Sequence, residues 1–229
     1  MWSSASFISI ENLTNSTWKF VIKPNDNFKY SPGQFIQIKI KDIVRSYSIA
    51  SYNLSENIFE LLIVKLEGGI MTKILFEEIN EGDKLEIKGP IGRFILPEKI
   101  DGDIFLICTG TGLAPFRSML QYIIQNKILT QRIYLIFGTR TKNNLLCYNE
   151  IIDMQNYISN LKYIPVLSRE NWEGKSGYVH NQYLNIINQE NLKNPIFYLC
   201  GWRNMVREAR NNLKELGFES KKIKLEIYD

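Results

Sequence analysis

Ile104-Phe-Leu-Ile-Cys-Thr-Gly-Thr-Gly-Leu-Ala-Pro115 decides how this chain is read. The run Ile104 to Cys108 has the length and apolarity of a buried strand, and Gly110 and Gly112 then stop it just before the amphipathic stretch Ala114 to Gln125. Glycines let the backbone approach a pyrophosphate, a helix N-terminus offers N–H groups without partners, and Pro115 suits a first helical turn, where its missing donor is not needed. The same pattern also suits a plain strand-to-helix turn, and the third glycine of the ordinary dinucleotide fingerprint is absent.

Downstream, strand-like runs at Ile133 to Phe137, Tyr163 to Leu167, Ile196 to Cys200 and Ile223 to Tyr228 alternate with helical stretches at Tyr148 to Tyr157, Val179 to Ile187 and Met205 to Leu216. Strands alternating with helices predict βαβ units, here an α/β Rossmann-like parallel five-stranded sheet that binds ligands outside the carboxyl ends of its strands. Upstream the grammar differs. Trp18 to Ile22, Phe35 to Ile40, Ser46 to Ala50, Ile58 to Leu66 and Lys84 to Lys88 are short runs with turn residues between them, interrupted by one helical stretch at Met71 to Glu78. Such spacing predicts an N-terminal antiparallel β-barrel, giving two domains, 1–98 and 99–229.

Composition removes whole classes of chemistry. The 229 residues include one histidine, His180, and three cysteines, Cys108, Cys147 and Cys200, too few and too dispersed for a structural zinc site or a plant-type iron–sulfur cluster. A hydrolase built on imidazole would have to use His180, which is expected to be structural or exposed. Residues 1–98 carry 11 basic and 12 acidic side chains and residues 99–229 carry 17 and 12, so the excess lies where an anionic nucleotide would bind. It falls short of the clustered stripe of a nucleic-acid binder. With no apolar run long enough to span a bilayer and no leader pattern, the expectation is a cytoplasmic protein with no membrane or nucleic-acid partner and no metal.

In the first half, Arg45-Ser-Tyr-Ser-Ile-Ala-Ser51 places an arginine, a tyrosine and hydroxyls on one short strand. Arginine neutralises phosphate and tyrosine packs on rings, although a surface arginine on an ordinary strand has the same composition. With the glycine turn, these residues make a pattern that resembles the ferredoxin–NADP reductase family from about Trp18 onward. Arg45-Ser-Tyr47-Ser48 matches that family's flavin motif, with Ile49-Ala50-Ser51 continuing it. Gly68-Gly69-Ile70-Met71-Thr72 is similar to its second phosphate segment, and Gly89-Pro90-Ile91-Gly92-Arg93-Phe94 to the segment closing its barrel. Gly110 to Pro115 is similar to its nucleotide-pyrophosphate loop; Gly138-Thr-Arg140, Cys200-Gly201 with Met205, and Glu226-Ile-Tyr228 follow in family order.

The resemblance implies an FAD-dependent oxidoreductase that moves hydride between NADP(H) and flavin and exchanges single electrons with a small carrier, ferredoxin or flavodoxin. Arg45, Tyr47, Ser48, Ile49, Gly69, Ile70, Met71 and Thr72 would hold FAD, with Tyr228 stacked on the ring's other face. Gly110, Thr111, Gly112, Pro115, Gly138, Arg140, Gly201 and Met205 would hold NADP(H). Ser168, Arg169, Lys175 and Tyr178 match the segment that selects the 2'-phosphate. Ser48, Cys200, Glu226 and Tyr228 form the implied hydride site, with Asp229 an unusual extra residue after the tyrosine. Two alternatives stand: a reductase component dedicated to an oxygenase or other enzyme, and a non-catalytic nucleotide-binding module. A monomer is expected.

Overall fold

The computed structural model describes residues 1–53 and 55–228, so the expectation attached to Asp229 lies outside the described residues. The chain divides into two compact units, Met1–Ile95 with Ala114–Tyr122, and Leu96–Leu113 with Ile123–Asp229.

The first unit is one antiparallel sheet of β1 (Ser3–Asn12), β2 (Thr17–Pro24), β3 (Phe35–Ile40), β4 (Ile43–Ser48), β5 (Phe59–Val64) and β6 (Lys84–Ile91), ordered β4-β3-β6-β1-β2-β5. Its two edge strands meet at a single antiparallel bridge, Ile49 to Leu61, reinforced by Ala50 N–H donating to the Glu60 carbonyl at 2.7 Å. This seam makes the sheet a barrel. Strand period 2 sends Ile36, Ile38 and Ile40 inward from β3, to join Phe7, Phe20, Phe59 and Leu61 in the core. The helix α1 (Ile70–Glu77) sits between β5 and β6 in sequence and packs against β4.

The second unit holds a parallel sheet of six strands rather than the five expected: β7 (Ile104–Thr109), β8 (Ile133–Thr139), β9 (Leu161–Leu167), β10 (Lys175–Ser176), β11 (Ile196–Trp202) and β12 (Ile223–Tyr228), ordered β10-β9-β8-β7-β11-β12. The added strand, β10, is two residues long, too short to leave a periodic trace in sequence. Between strands lie α2 (Leu113–Gln125), α3 (Tyr148–Met154), α4 (Val179–Gln189) and α5 (Arg203–Glu215). Most of α2, Ala114–Tyr122, groups with the first unit. On one sheet face, Phe105, Ile107, Ile136, Phe197 and Leu199 pack against α4 and α5 through Val179, Tyr183, Val206 and Leu213; each such buried side chain contributes about 1.5–3 kcal/mol.

His180 is structural and buried: its Nδ1 lies 3.0 Å from the Tyr183 hydroxyl, which accepts from Asn212 Nδ2 at 2.9 Å, and its Nε2 lies 3.4 Å from Glu208. Burial holds this imidazole below its ordinary range, an effect Glu208 opposes. Among the described residues no helix is long and apolar enough to cross a membrane.

Candidate functional site

The chain runs from β7 to β8 and β9 on one side and later returns to β11 on the other, so the sheet order reverses beside β7. At such a switch point the strand ends diverge and leave a crevice for ligand. Here its floor is the turn Gly110–Gly112, a single 3-10 turn with no side-chain cap at its N-terminus. Gly112 lies so close to β11 that a Cβ on it would come within 2.4 Å of the Cys200 carbonyl oxygen. Gly201 answers from the other side: its φ is +123° and its own Cβ would meet Thr109 O at 2.6 Å. Thr109 Oγ1 accepts from Trp202 N–H at 3.1 Å, locking the two strand ends together. Gly110, with φ +53°, has open space where a side chain would project. Uncapped amides, and a backbone that side chains do not obstruct, suit a pyrophosphate.

Register brings three of the four implied hydride-site residues together. Cys200 pairs with Glu226 across β11 and β12, and Trp202 with Tyr228. Burial pushes the Cys200 thiol well above its ordinary pKa, the Glu226 charge adds to the rise, and the nearby Tyr228 side chain opposes it. Cys108, register partner of Cys200 on β7, is fully buried and raised for the same first reason. A disulfide-exchange reagent at neutral pH is therefore expected to modify Cys147, the one partly exposed cysteine, in the folded protein, and Cys108 and Cys200 only after unfolding. Equal labelling rates at Cys147 and Cys200 would contradict this geometry.

Arg140, Ser168 and Arg169 follow the carboxyl ends of β8 and β9, and Lys175 opens β10, in register with Val166 near the end of β9. Ser168 N–H and Oγ–H both point at Thr139 O, at 3.0 and 3.3 Å, and Arg169 N–H donates to Arg140 O at 3.0 Å. The acidic side chains of this loop face elsewhere: Glu170 accepts Lys142 N–H at 2.7 Å, and Glu173 pairs with Lys142 Nζ at 2.9 Å. Arg140, Arg169 and Lys175 are exposed. Tyr178 caps α4 with its ring 68% exposed, whereas Gly138, Pro115 and Met205 are buried and act through packing.

In the first unit, Arg45 is exposed and its Nη1 donates to its neighbour Val44 O at 2.8 Å. Tyr47 is half-buried, packed on the barrel core, and its phenol is raised by that burial. Ser48 is buried, and Ile49 lies wholly inside the barrel with its N–H bonded to Gln34 O at 3.0 Å. The helix α1, which follows Gly69, packs against this strand. The N-terminus of α1 carries no side-chain cap, so its amides suit an anion. The Thr72 hydroxyl lies 3.2 Å from Leu66 O and 3.1 Å from Gly69 O, which assigns it to shaping the turn. Met71 is buried and Ile70 is 62% exposed. Trp202, 62% exposed at the crevice, and Thr109 belong to the neighbourhood of the glycine turn without having stood out in the sequence; the only trace of either is its position beside a motif.

Comparison with known proteins agrees with this construction. Residues 4–95 match the profile described as the oxidoreductase FAD-binding domain, and residues 106–211 the oxidoreductase NAD-binding domain. The chain is 32% identical over 204 residues to the CDP-6-deoxy-L-threo-D-glycero-4-hexulose-3-dehydrase reductase of Yersinia pestis, covering 88% of this chain and 60% of that protein. It is 30% identical to NADH-cytochrome b5 reductase 1 of Eremothecium gossypii, covering 96% of this chain and 81% of the relative. The fold matches a crystal structure of a ferredoxin NADP+ reductase from Neisseria gonorrhoeae with bound FAD and NADP at TM-score 0.85 and 22% identity, over 99% of this chain and 98% of that one. The chain spans about three-fifths of the length of several curated relatives it matches. An antiparallel barrel bearing a flavin-type strand, followed by a parallel sheet with a glycine turn at its switch point, and these matches on both halves place the chain in the ferredoxin–NADP reductase family.

Proposed function

We propose that this chain is an FAD-dependent reductase that takes hydride from NADPH and passes electrons singly to a small protein carrier such as ferredoxin or flavodoxin. The supporting observation is the uncapped glycine turn fitted against Cys200 and Gly201, next to Glu226 and Tyr228. Residues 1–98 would form the FAD domain and 99–229 the nucleotide domain. FAD, when bound, supplies the exchange between two-electron and one-electron chemistry. Arg45 and the first amides of α1 would neutralise its phosphates, Tyr47 would pack on the ring system, and Ser48 would donate a hydrogen bond at the reacting nitrogen. Gly110 to Gly112 would carry the NADPH pyrophosphate, Glu226 and Cys200 would orient the nicotinamide, and Tyr228 would cover the flavin until nicotinamide replaces it. A monomer acting in a reducing cytoplasm is consistent with three cysteines that form no disulfide among the described residues.

The same site also serves a reductase component dedicated to one enzyme, a reading favoured by a relative named anthranilate 1,2-dioxygenase electron transfer component. The retained Arg45, Tyr47, Ser48, Gly112 and Tyr228 weigh against a non-catalytic module.

Preference for NADPH follows from Arg140, Arg169 and Lys175, because one charge-assisted hydrogen bond to a 2'-phosphate is worth about ten- to a hundred-fold in affinity. Stopped-flow reduction of the FAD-reconstituted protein is expected to run faster with NADPH than with NADH at equal, low concentrations. Equal rates would refute the preference, and a colourless protein after reconstitution would refute the flavin reading itself. Steady-state assays with candidate carriers then separate ferredoxin or flavodoxin from a dedicated partner.

A further inference from the structure

A buried charge in the first unit has no part in the function described above. Arg117 is 6% exposed; its Nη1 donates to the Ala50 carbonyl at 2.8 Å and to the Glu60 carboxylate. The adjacent Ser118, fully buried, donates from Oγ to Ser51 O at 2.7 Å, and Gln121 Oε1 accepts Tyr52 N–H at 2.7 Å. Three side chains on neighbouring turns of α2 therefore hold three consecutive residues of main chain. That segment begins immediately after Ile49, which directly follows the flavin-type strand β4 and is one half of the bridge that closes the barrel.

Burying an ion pair is a poor way to gain stability, since well-packed apolar residues of the same volume do as well or better. What an apolar side chain lacks is the ability to hold carbonyl and amide groups in fixed directions. We propose that Arg117 is a positioning residue for the flavin site: with Ser118 and Gln121 it fixes Ala50 to Tyr52, keeps the barrel seam shut, and so sets how β4 presents Tyr47 and Ser48. The inference rests on β4 being the flavin strand.

The test compares FAD binding and melting of the full-length chain as wild type, Arg117→Met, Arg117→Lys and, as a control in the second unit, Arg132→Met. Arg117→Met raises the FAD dissociation constant about ten- to a hundred-fold, the value of a hydrogen bond from a charged group, and shifts the bound flavin's visible absorption. Arg117→Lys, which keeps the charge and one donor, recovers part of the affinity. Arg132→Met loses melting temperature yet keeps FAD affinity within about two-fold, because distant sites act independently. Wild-type affinity in Arg117→Met, or losses in both Met variants that simply track their melting temperatures, would overturn the proposal. If Arg117→Met does not fold, Gln121→Ala decides: about a three-fold loss supports it and no loss overturns it. A wild-type chain that binds no FAD defeats the underlying flavin reading instead, which is a separate result.

Discussion

Gly112→Ala is expected to abolish reduction by pyridine nucleotide while leaving flavin in place. The added methyl would lie 2.4 Å from Cys200 O, 2.6 Å from Cys200 C and 2.8 Å from Gly201 Cα, all of them backbone atoms of a central strand that cannot swing aside. Relief requires the turn to lift away from β11, which re-aims the amides of Gly110 to Gly112 and loosens the Thr109 to Trp202 hydrogen bond. Overpacking of this kind costs about 1–3 kcal/mol of stability. The functional loss is larger, because pyrophosphate binding depends on several amides converging at once. The measurements are the visible spectrum, which should stay that of bound flavin, and the rate of bleaching by NADPH, which should fall at least about a hundred-fold if more than one charge-assisted bond is lost. Normal bleaching in Gly112→Ala would show that the nucleotide binds elsewhere.

Asp103→Ala is expected to be the most destabilising single change away from the site. The Asp103 side chain is 1% exposed, and its carboxylate accepts Arg132 Nε at 3.0 Å, Arg132 Nη2 at 2.6 Å and Lys193 N–H at 2.7 Å. Arg132 continues to Glu190 at 2.8 Å, whose carboxylate also takes the Tyr134 hydroxyl, so the knot ties the amino ends of the central strands β7 and β8 to the end of α4, at the end of the strands opposite the glycine turn. Removing one partner of a buried pair leaves its donors without an acceptor, which costs about 3–5 kcal/mol. Because Arg132 is 31% exposed and keeps Glu190, the lower end applies. Thermal or urea unfolding followed by circular dichroism reads the effect, with Asp101→Ala, whose side chain accepts an exposed hydrogen bond from Asn194 at 3.1 Å, expected within about 0.5 kcal/mol of wild type. Similar stabilities for the two variants would remove the knot from the account.

The second unit was readable because parallel strands buried on both faces are written as apolar runs, and each run here stops at a turn residue. The first unit was readable only where period 2 is strong. β1 escaped notice because Ser3, Ser4 and Ser6 alternate with only Ala5 and Phe7 as deeply buried residues, a pattern too polar to separate from loop. β4 begins at Ile43, not Ser46, because its two-residue hairpin is Lys41-Asp42, with Lys41 at φ 55° and none of the glycine or asparagine that advertises such a turn. Candidate site residues in contiguous motifs were legible, whereas Arg117 was not: it reads as one more residue of an amphipathic helix, and its partners Ala50 and Glu60 lie 67 and 57 positions away. Thr72 shows the converse, a motif hydroxyl that the fold spends on its own turn.

The order of the first sheet leaves β4 at an edge, joined to β5 just beyond its end by the Ile49 to Leu61 bridge and the Ala50 to Glu60 hydrogen bond. Among the described residues, β4 between Ile43 and Tyr47 pairs with a strand on one side, β3, the edge position that invites association between molecules. FAD held along Arg45 to Ser48, as proposed above, would cover this edge in the way an added strand would. On that reading, loading with cofactor and resistance to aggregation are one property of β4, and the form of the protein expected to self-associate most readily is the one without its flavin.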